Sequence, residues 1–256
     1  MQQAVSPVLL ETIKELQSLS SLSQFALAGG TNLAFRFNHR ESQDIDLFCP
    51  DIVGIKHFEF IEKEILAYYG KENITGLQYP FDKESEQYTY LRFWVTKPCD
   101  NIIKVEIIQN MKMTESIEVI NNVRLVTTKD IGLFKMISGS SRAAKKDIYD
   151  LDFITDKISL ENLYESLKKK QETFNKENDK NIFDLDEEES PIDNPLLLLK
   201  FDGKVVQNGV KPIHSNDNIK IVEDSKTWTI VKINWRMKVR SLFRYLELDF
   251  PSPLSK

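Results

Sequence analysis

The chain has 256 residues, 41% hydrophobic and 29% charged, a mixture that builds a globular core of ordinary size without disulfides or structural metal. Its net charge of −5, from 34 basic and 39 acidic residues, argues against a surface coated for nonspecific nucleic-acid binding, though not against a local basic patch. Cys49 and Cys99 have no CxxC or Cys/His spacing, and neither a signal-peptide pattern nor a bilayer-length apolar run is found, so a soluble cytoplasmic protein with no membrane partner is expected.

In chain order, Pro7 to Leu19 has helical spacing with Ser6 or Pro7 at its start. Phe25 to Ala28 is a short apolar run closed by Gly29 and Gly30, the pattern of a buried strand entering a tight turn. A helix is predicted from Asn32 to Asn38, opening near Thr31. Ser42 to Phe48 alternates polar and apolar residues, with Ile45 and Leu47 on one face and Asp44 and Asp46 on the other. Lys56 to Tyr69 returns to helical spacing. Strands are predicted at Ile74 to Tyr79, Tyr88 to Val95, Ile102 to Ile108 and Val123 to Val126.

From Thr128 onward helices take over, at Lys129 to Ser138, Lys145 to Thr155, Leu160 to Lys170 and across Thr227 to Leu248. Gln171 to Asn194 is polar and reads as a long surface loop or linker, acidic over Asp184 to Asp193. The expected layout is a mixed α/β core over residues 1–126, then a mainly helical region over 127–256 with its polar loop near 171–194.

Two glycines after a buried strand let the backbone turn sharply and a ligand come close. A helix opening there turns its free N–H groups toward an anion such as phosphate. Thr31 either adds a hydroxyl donor or caps the helix. Asp44 and Asp46, two apart on a strand, send both carboxylates to one face, where two like charges call for divalent cations; an exposed strand with two solvated aspartates is the alternative. Together these features fit a nucleotide with its phosphates at the helix start and its metals on the carboxylates. Glu106, sharing a strand face with Lys104, is the candidate third carboxylate; a Lys/Glu pair on a solvated sheet surface is the alternative.

Lys135 lies among Leu133, Phe134, Met136 and Ile137, as an ammonium reaching phosphate or as a side chain covering the core. Arg142, Lys145 and Lys146 precede Asp147, which pairs with one of them or contacts the nucleotide. Asp150 reads as a helix cap or a salt bridge.

Gly29-Gly30-Thr31-Asn32-Leu33, His39-Arg40-x-Ser42-x-Asp44-Ile45-Asp46-Leu47-Phe48, and Lys135 with Arg142 and Lys146-Asp147-Ile148-Tyr149-Asp150-Leu151 resemble the AbiEii/AbiGii family. These are nucleotidyltransferase toxins of abortive-infection and type IV toxin–antitoxin systems. The resemblance covers roughly residues 20–155. It implies an α+β fold with a polymerase-β-like core, a mixed sheet flanked by helices, and a helical C-terminal region. It also implies an enzyme using an NTP with Mg²⁺ or Mn²⁺, with tRNA as an acceptor and a cognate antitoxin as partner. By matching motifs, Gly29, Gly30 and Thr31 would hold phosphate together with Lys135, Arg142 and Lys146. Asp44, Asp46 and Glu106 would hold metal, and Asp44, Asp46, Lys135 and Asp147 would serve catalysis. His39, Arg40 and Ser42 would support the loop before the strand. Modification of a protein or small-molecule hydroxyl, and NTP binding without turnover, are the alternative activities.

Overall fold

The computed structural model describes residues 3–80, 86–184, 189–201 and 218–252. The chain divides into two compact units, residues 1–127 with 174–185, and residues 128–173 with 186–256.

The first unit is a seven-stranded mixed sheet with three helices. Helix α1 (Pro7–Ser18) starts at a Ser6 cap whose hydroxyl accepts from the Leu9 amide at 3.1 Å, with Pro7 in the first turn where its missing N–H costs nothing. Strand β1 (Ala26–Leu27) runs into α2 (Gly29–Phe37), then β2 (Ile45–Phe48) and α3 (Ile55–Tyr69). Strands β3 (Ile74–Gln78), β4 (Tyr90–Lys97), β5 (Asn101–Ile108), β6 (Glu118–Ile120) and β7 (Val123–Leu125) follow. The strand order is β3-β4-β5-β2-β1-β7-β6, with β2/β5 and β1/β7 parallel and the other pairs antiparallel. This is the mixed sheet flanked by helices that the family resemblance implies.

Alternation divides the central strands into two faces. Ile45, Leu47, Leu91, Phe93, Val95, Ile103, Val105 and Ile107 are buried, while Asp46, Arg92, Trp94, Lys104 and Glu106 on the opposite face keep some exposure. Helix α1 packs against β7 and α3 against β4, driving in Leu9, Ile13, Leu16, Phe58, Ile61 and Ile65. Helix α2 starts two residues earlier than predicted because Gly29, at φ 61°, makes the turn inside the first helical residue. Strand β6 escapes the sequence reading: three exposed residues on a sheet edge carry no apolar alternation.

The polar stretch after residue 173 is no free linker. Its residues 174–184 belong to the first unit, where Gln87 Nε2 donates to the carbonyls of Glu177 and Lys180 at 2.8 Å each, and Asn110 Nδ2 donates to that of Lys180 at 2.7 Å. Residues 185–188 of the acidic run lie outside the described residues.

The second unit is helical: α4 (Thr128–Arg142), α5 (Lys145–Thr155), α6 (Leu160–Thr173) and α7 (Trp228–Tyr245). Helix α4 continues past the predicted end at Ser138 because its small residues are packing surface. A Cβ at Gly139 would already touch Asp147 at 3.4 Å, so the bare glycine brings α5 close. The Leu196–Leu199 run forms a short 3-10 turn, and Trp235 of α7, fully buried, donates from Nε1 to the Leu198 carbonyl at 2.9 Å. Lys226 and Lys238 both reach the buried Asp152 at 2.7 Å, tying α7 and the segment before it to α5. Among the described residues, no helix is long and apolar enough to cross a membrane.

Candidate active site

The Gly29-Gly30 turn and the aspartate strand meet edge to edge. The Ala28 amide donates to the Asp46 carbonyl at 2.8 Å, and β1 pairs antiparallel with β2 through Leu27 and Leu47. A Cβ at Gly29 would fall on the Asp46 carboxylate, with Cγ 2.9 Å away. Only glycine fits, for space as well as for its left-handed φ. Gly29→Ala is therefore expected to destabilise the fold by about 1–2 kcal/mol and to displace the Asp46 carboxylate. Thermal unfolding beside a nucleotidyl-transfer assay measures the two effects. Full transfer in this variant would mean that the carboxylate's position against the turn is immaterial.

Gly30 makes room for a cation. A Cβ there would meet the Arg40 guanidinium, whose Cζ would be 3.3 Å away, and Arg40 is only 5% exposed. The N-terminus of α2 has no side-chain cap, so its leading amides are not answered by the hydroxyl of Thr31. Thr31 is buried, and its hydroxyl bonds the Asp44 carbonyl and lies 2.7 Å from the Ser42 hydroxyl. It ties α2 to the segment carrying the first aspartate. Asn32, also buried, donates through Nδ2 to the carbonyls of Leu27 at 2.7 Å and Val126 at 2.9 Å, bracing the ends of β1 and β7.

Asp44 is exposed just before β2, and Asp46 is half-buried within it. Asp46 stands in register with Glu106 on the parallel neighbour β5. Glu106 is held by two cations: Arg92 Nε and Nη2 both lie 2.7 Å from Oε1, and Lys104 Nζ lies 2.9 Å from Oε2. Among the described residues, no three His, Cys, Asp or Glu side chains stand grouped as metal ligands. A divalent cation fits Asp44 and Asp46, whose hard carboxylate oxygens suit Mg²⁺ or Mn²⁺. Glu106 fits less well, because both its oxygens already serve cations.

In the second unit Lys135, Asp147, Asp150 and Arg142 form one cluster. Lys135 Nζ lies 2.6 Å from Asp147 and 2.9 Å from Asp150, and Arg142 Nε lies 2.8 Å from Asp147. Both aspartates are buried, and the Lys135 side chain is only 10% exposed. Burial penalises the charged form of Asp147, but Lys135 and Arg142 beside it outweigh that and hold its pKa below the ordinary carboxylate value. Lys135 is thus occupied by two carboxylates; Arg142, with a side chain 35% exposed, and the half-buried Lys146 are the more accessible cations. Arg92 escapes the sequence reading as a neighbour of Glu106. Strand alternation puts Lys104 on the Glu106 face, but only the β4/β5 register reveals Arg92.

The family model described as nucleotidyl transferase AbiEii toxin, type IV TA system, matches residues 16–251. The uncharacterized protein aq_aa25 of Aquifex aeolicus (strain VF5) is 26% identical over 168 residues, covering 62% of this chain and 72% of the relative. Among solved structures, a candidate nucleotidyltransferase from H. pylori is similar at 17% identity and TM-score 0.49, covering 95% of this chain and 98% of that one. MenT4, a nucleotidyltransferase toxin from Mycobacterium tuberculosis H37Rv, is similar at 18% identity and TM-score 0.44, covering 94% and 83%.

Proposed function

This chain belongs to the AbiEii family of nucleotidyl transferase toxins of type IV toxin–antitoxin systems, and we propose that it moves a nucleotidyl group from an NTP to a tRNA hydroxyl, with Asp44 and Asp46 as its metal-binding carboxylates. The observation that carries this reading is the seat of the Asp46 carboxylate against Gly29, at the uncapped start of α2. One short segment sets an anion-seeking helix terminus beside a divalent-cation ligand, which is what a metal-bound triphosphate requires.

In the reaction the acceptor hydroxyl gives up its proton to solvent as its oxygen bonds the α-phosphorus, while the α–β bridge breaks and pyrophosphate leaves. Mg²⁺, when bound, supplies the charge that activates the acceptor hydroxyl and stabilises the departing pyrophosphate. The amides of the Gly29-Gly30 turn hold phosphate oxygens in place, with the Arg40 cation behind Gly30 adding positive potential. Thr31 keeps Asp44 in position through its carbonyl rather than touching phosphate. Within the helical unit, Asp147 and Lys135 hold Arg142 and the two helices in place. A cognate antitoxin is the partner expected of such a toxin.

When the four α-³²P-labelled NTPs are incubated one at a time with the protein, Mg²⁺ and a cell extract, at least one is expected to label the tRNA fraction. Label in protein or in small molecules instead would replace the acceptor, and no label with any NTP would remove the transfer reading itself. Mg²⁺-dependent NTP binding without any labelled product would identify a binding module.

A further inference from the structure

The open face of the sheet carries, beside Asp46, side chains that the transfer reading leaves unused. Paired positions on neighbouring strands share a face, and the register sets Asp46 beside Glu106, Glu106 beside Arg92, and Arg92 beside Gln78. At roughly 4.8 Å per strand, the Arg92 backbone lies only about two strand spacings from that of Asp46. Lys104 occupies the next row on the same face, opposite Trp94.

Around Glu106 itself the charge is positive: Arg92 and Lys104 bring two cations to its one carboxylate, although Asp46, one strand on, makes the face as a whole neutral. The side chains of the two cations are 29% and 30% exposed, and that of Glu106 is 16%. Their donors are also in surplus. A guanidinium has five N–H groups and an ammonium three. Arg92 spends Nε on Glu106, and Nη2 on Glu106 and on the Tyr90 hydroxyl at 2.9 Å. Lys104 spends one ammonium hydrogen, on Glu106. Among the described residues, Arg92 Nη1 and the other Lys104 hydrogens have no protein acceptor. A divalent cation on Glu106 would have to stand among these cations or displace them, whereas a phosphate oxygen would answer the idle donors.

We propose that Glu106 is not a metal ligand but the anchor of a phosphate-binding pair, Arg92 and Lys104, set in line with the metal-binding Asp46. The ligand is a phosphate group, from the triphosphate of the nucleotide or from the backbone of the acceptor RNA. Glu106 fixes the two cations, and their outer donors take the phosphate oxygens. This assignment rests on the reading of Asp44 and Asp46 as the metal site.

The test uses the full chain and three probes measured by calorimetry: Mn²⁺ alone, inorganic tripolyphosphate in EDTA, and purified total tRNA. Arg92→Gln with Lys104→Gln is expected to weaken one of the two phosphate probes by roughly tenfold to a hundredfold while leaving Mn²⁺ binding unchanged. Loss on tripolyphosphate assigns the pair to the nucleotide; loss on tRNA assigns it to the acceptor. Glu106→Gln is expected to keep Mn²⁺ affinity within about twofold, whereas Asp46→Asn lowers it by about tenfold or more. Unchanged binding of both phosphate probes by the double variant overturns the proposal, as does a Glu106→Gln loss of Mn²⁺ equal to that of Asp46→Asn. If the double variant is unfolded by circular dichroism, Arg92→Lys and Lys104→Arg, which keep the charge but alter the fork, stand in for it; no change of phosphate affinity in either would likewise overturn the pair. Intact Mn²⁺ binding in Asp46→Asn would instead remove the metal-site reading and leave the phosphate measurements to stand alone.

Discussion

Asp46→Asn is expected to lower nucleotidyl transfer by about a thousandfold or more, some 4 kcal/mol of transition-state stabilisation, without unfolding the protein. The substitution keeps volume and removes one charge, and Asp46 is half-buried on the open face of the sheet rather than in the core. Its backbone bond to Ala28 does not depend on the side chain. The fold is expected to survive while the carboxylate proposed to hold the metal is gone. Single-turnover transfer from labelled NTP, with a melting curve of the same preparation, separates the two effects. Transfer within about tenfold of the unsubstituted protein would mean that Asp46 does not carry the metal. Asp46 is a better probe than Lys135 for this purpose. A Lys135 variant would leave two buried aspartates without their shared cation, so lost activity would report lost structure as readily as lost chemistry.

Much of the first unit was legible because its signals are local. The Phe25–Ala28 run, the double glycine and the alternation around Asp44 and Asp46 each lie within a few residues, and β1, α2 and β2 follow them. Alternation also placed Glu106 and Lys104 on one face, and they form an ion pair. What the sequence withheld depends on register and on long-range contacts. Nothing in Tyr90 to Lys97 singles out Arg92, which matters only because β4 pairs it with Glu106 and β2 pairs Glu106 with Asp46. Thr31 read as a phosphate donor or a cap, yet its hydroxyl turns to the carbonyl of a residue thirteen positions on. The docking of residues 174–184 rests on the side-chain amides of Gln87 and Asn110, which no hydrophobic period reveals. The sequence did mark Lys135 as misplaced among apolar neighbours, but its partners on the next helix follow only from the packing of α4 against α5.

That packing leads to the second large effect: Asp147→Ala is expected to cost about 3–5 kcal/mol of folding stability. Asp147 and Asp150 together balance Lys135 and Arg142, so removing one aspartate leaves an uncompensated positive charge, with Lys135 nearly buried. Calorimetric or urea unfolding at neutral pH measures the loss, and a change below about 1 kcal/mol would mean that solvent already relieves the pair. The pH dependence supplies a second check with a definite sign. Lys135 and Arg142 depress the pKa of folded Asp147 below its ordinary value of 3.8, so as pH falls the unfolded chain takes up the proton first. The contribution of this carboxylate is therefore complete above that ordinary value and fades as pH drops through the lower folded pKa. Asp147→Asn, which removes the titrating group and keeps its volume, should be less stable at neutral pH. Its stability should also fall less steeply than that of the unsubstituted protein as the solution is acidified below the ordinary carboxylate range. Parallel acid limbs for the two proteins would place the acid-labile charge elsewhere, whatever the neutral-pH loss.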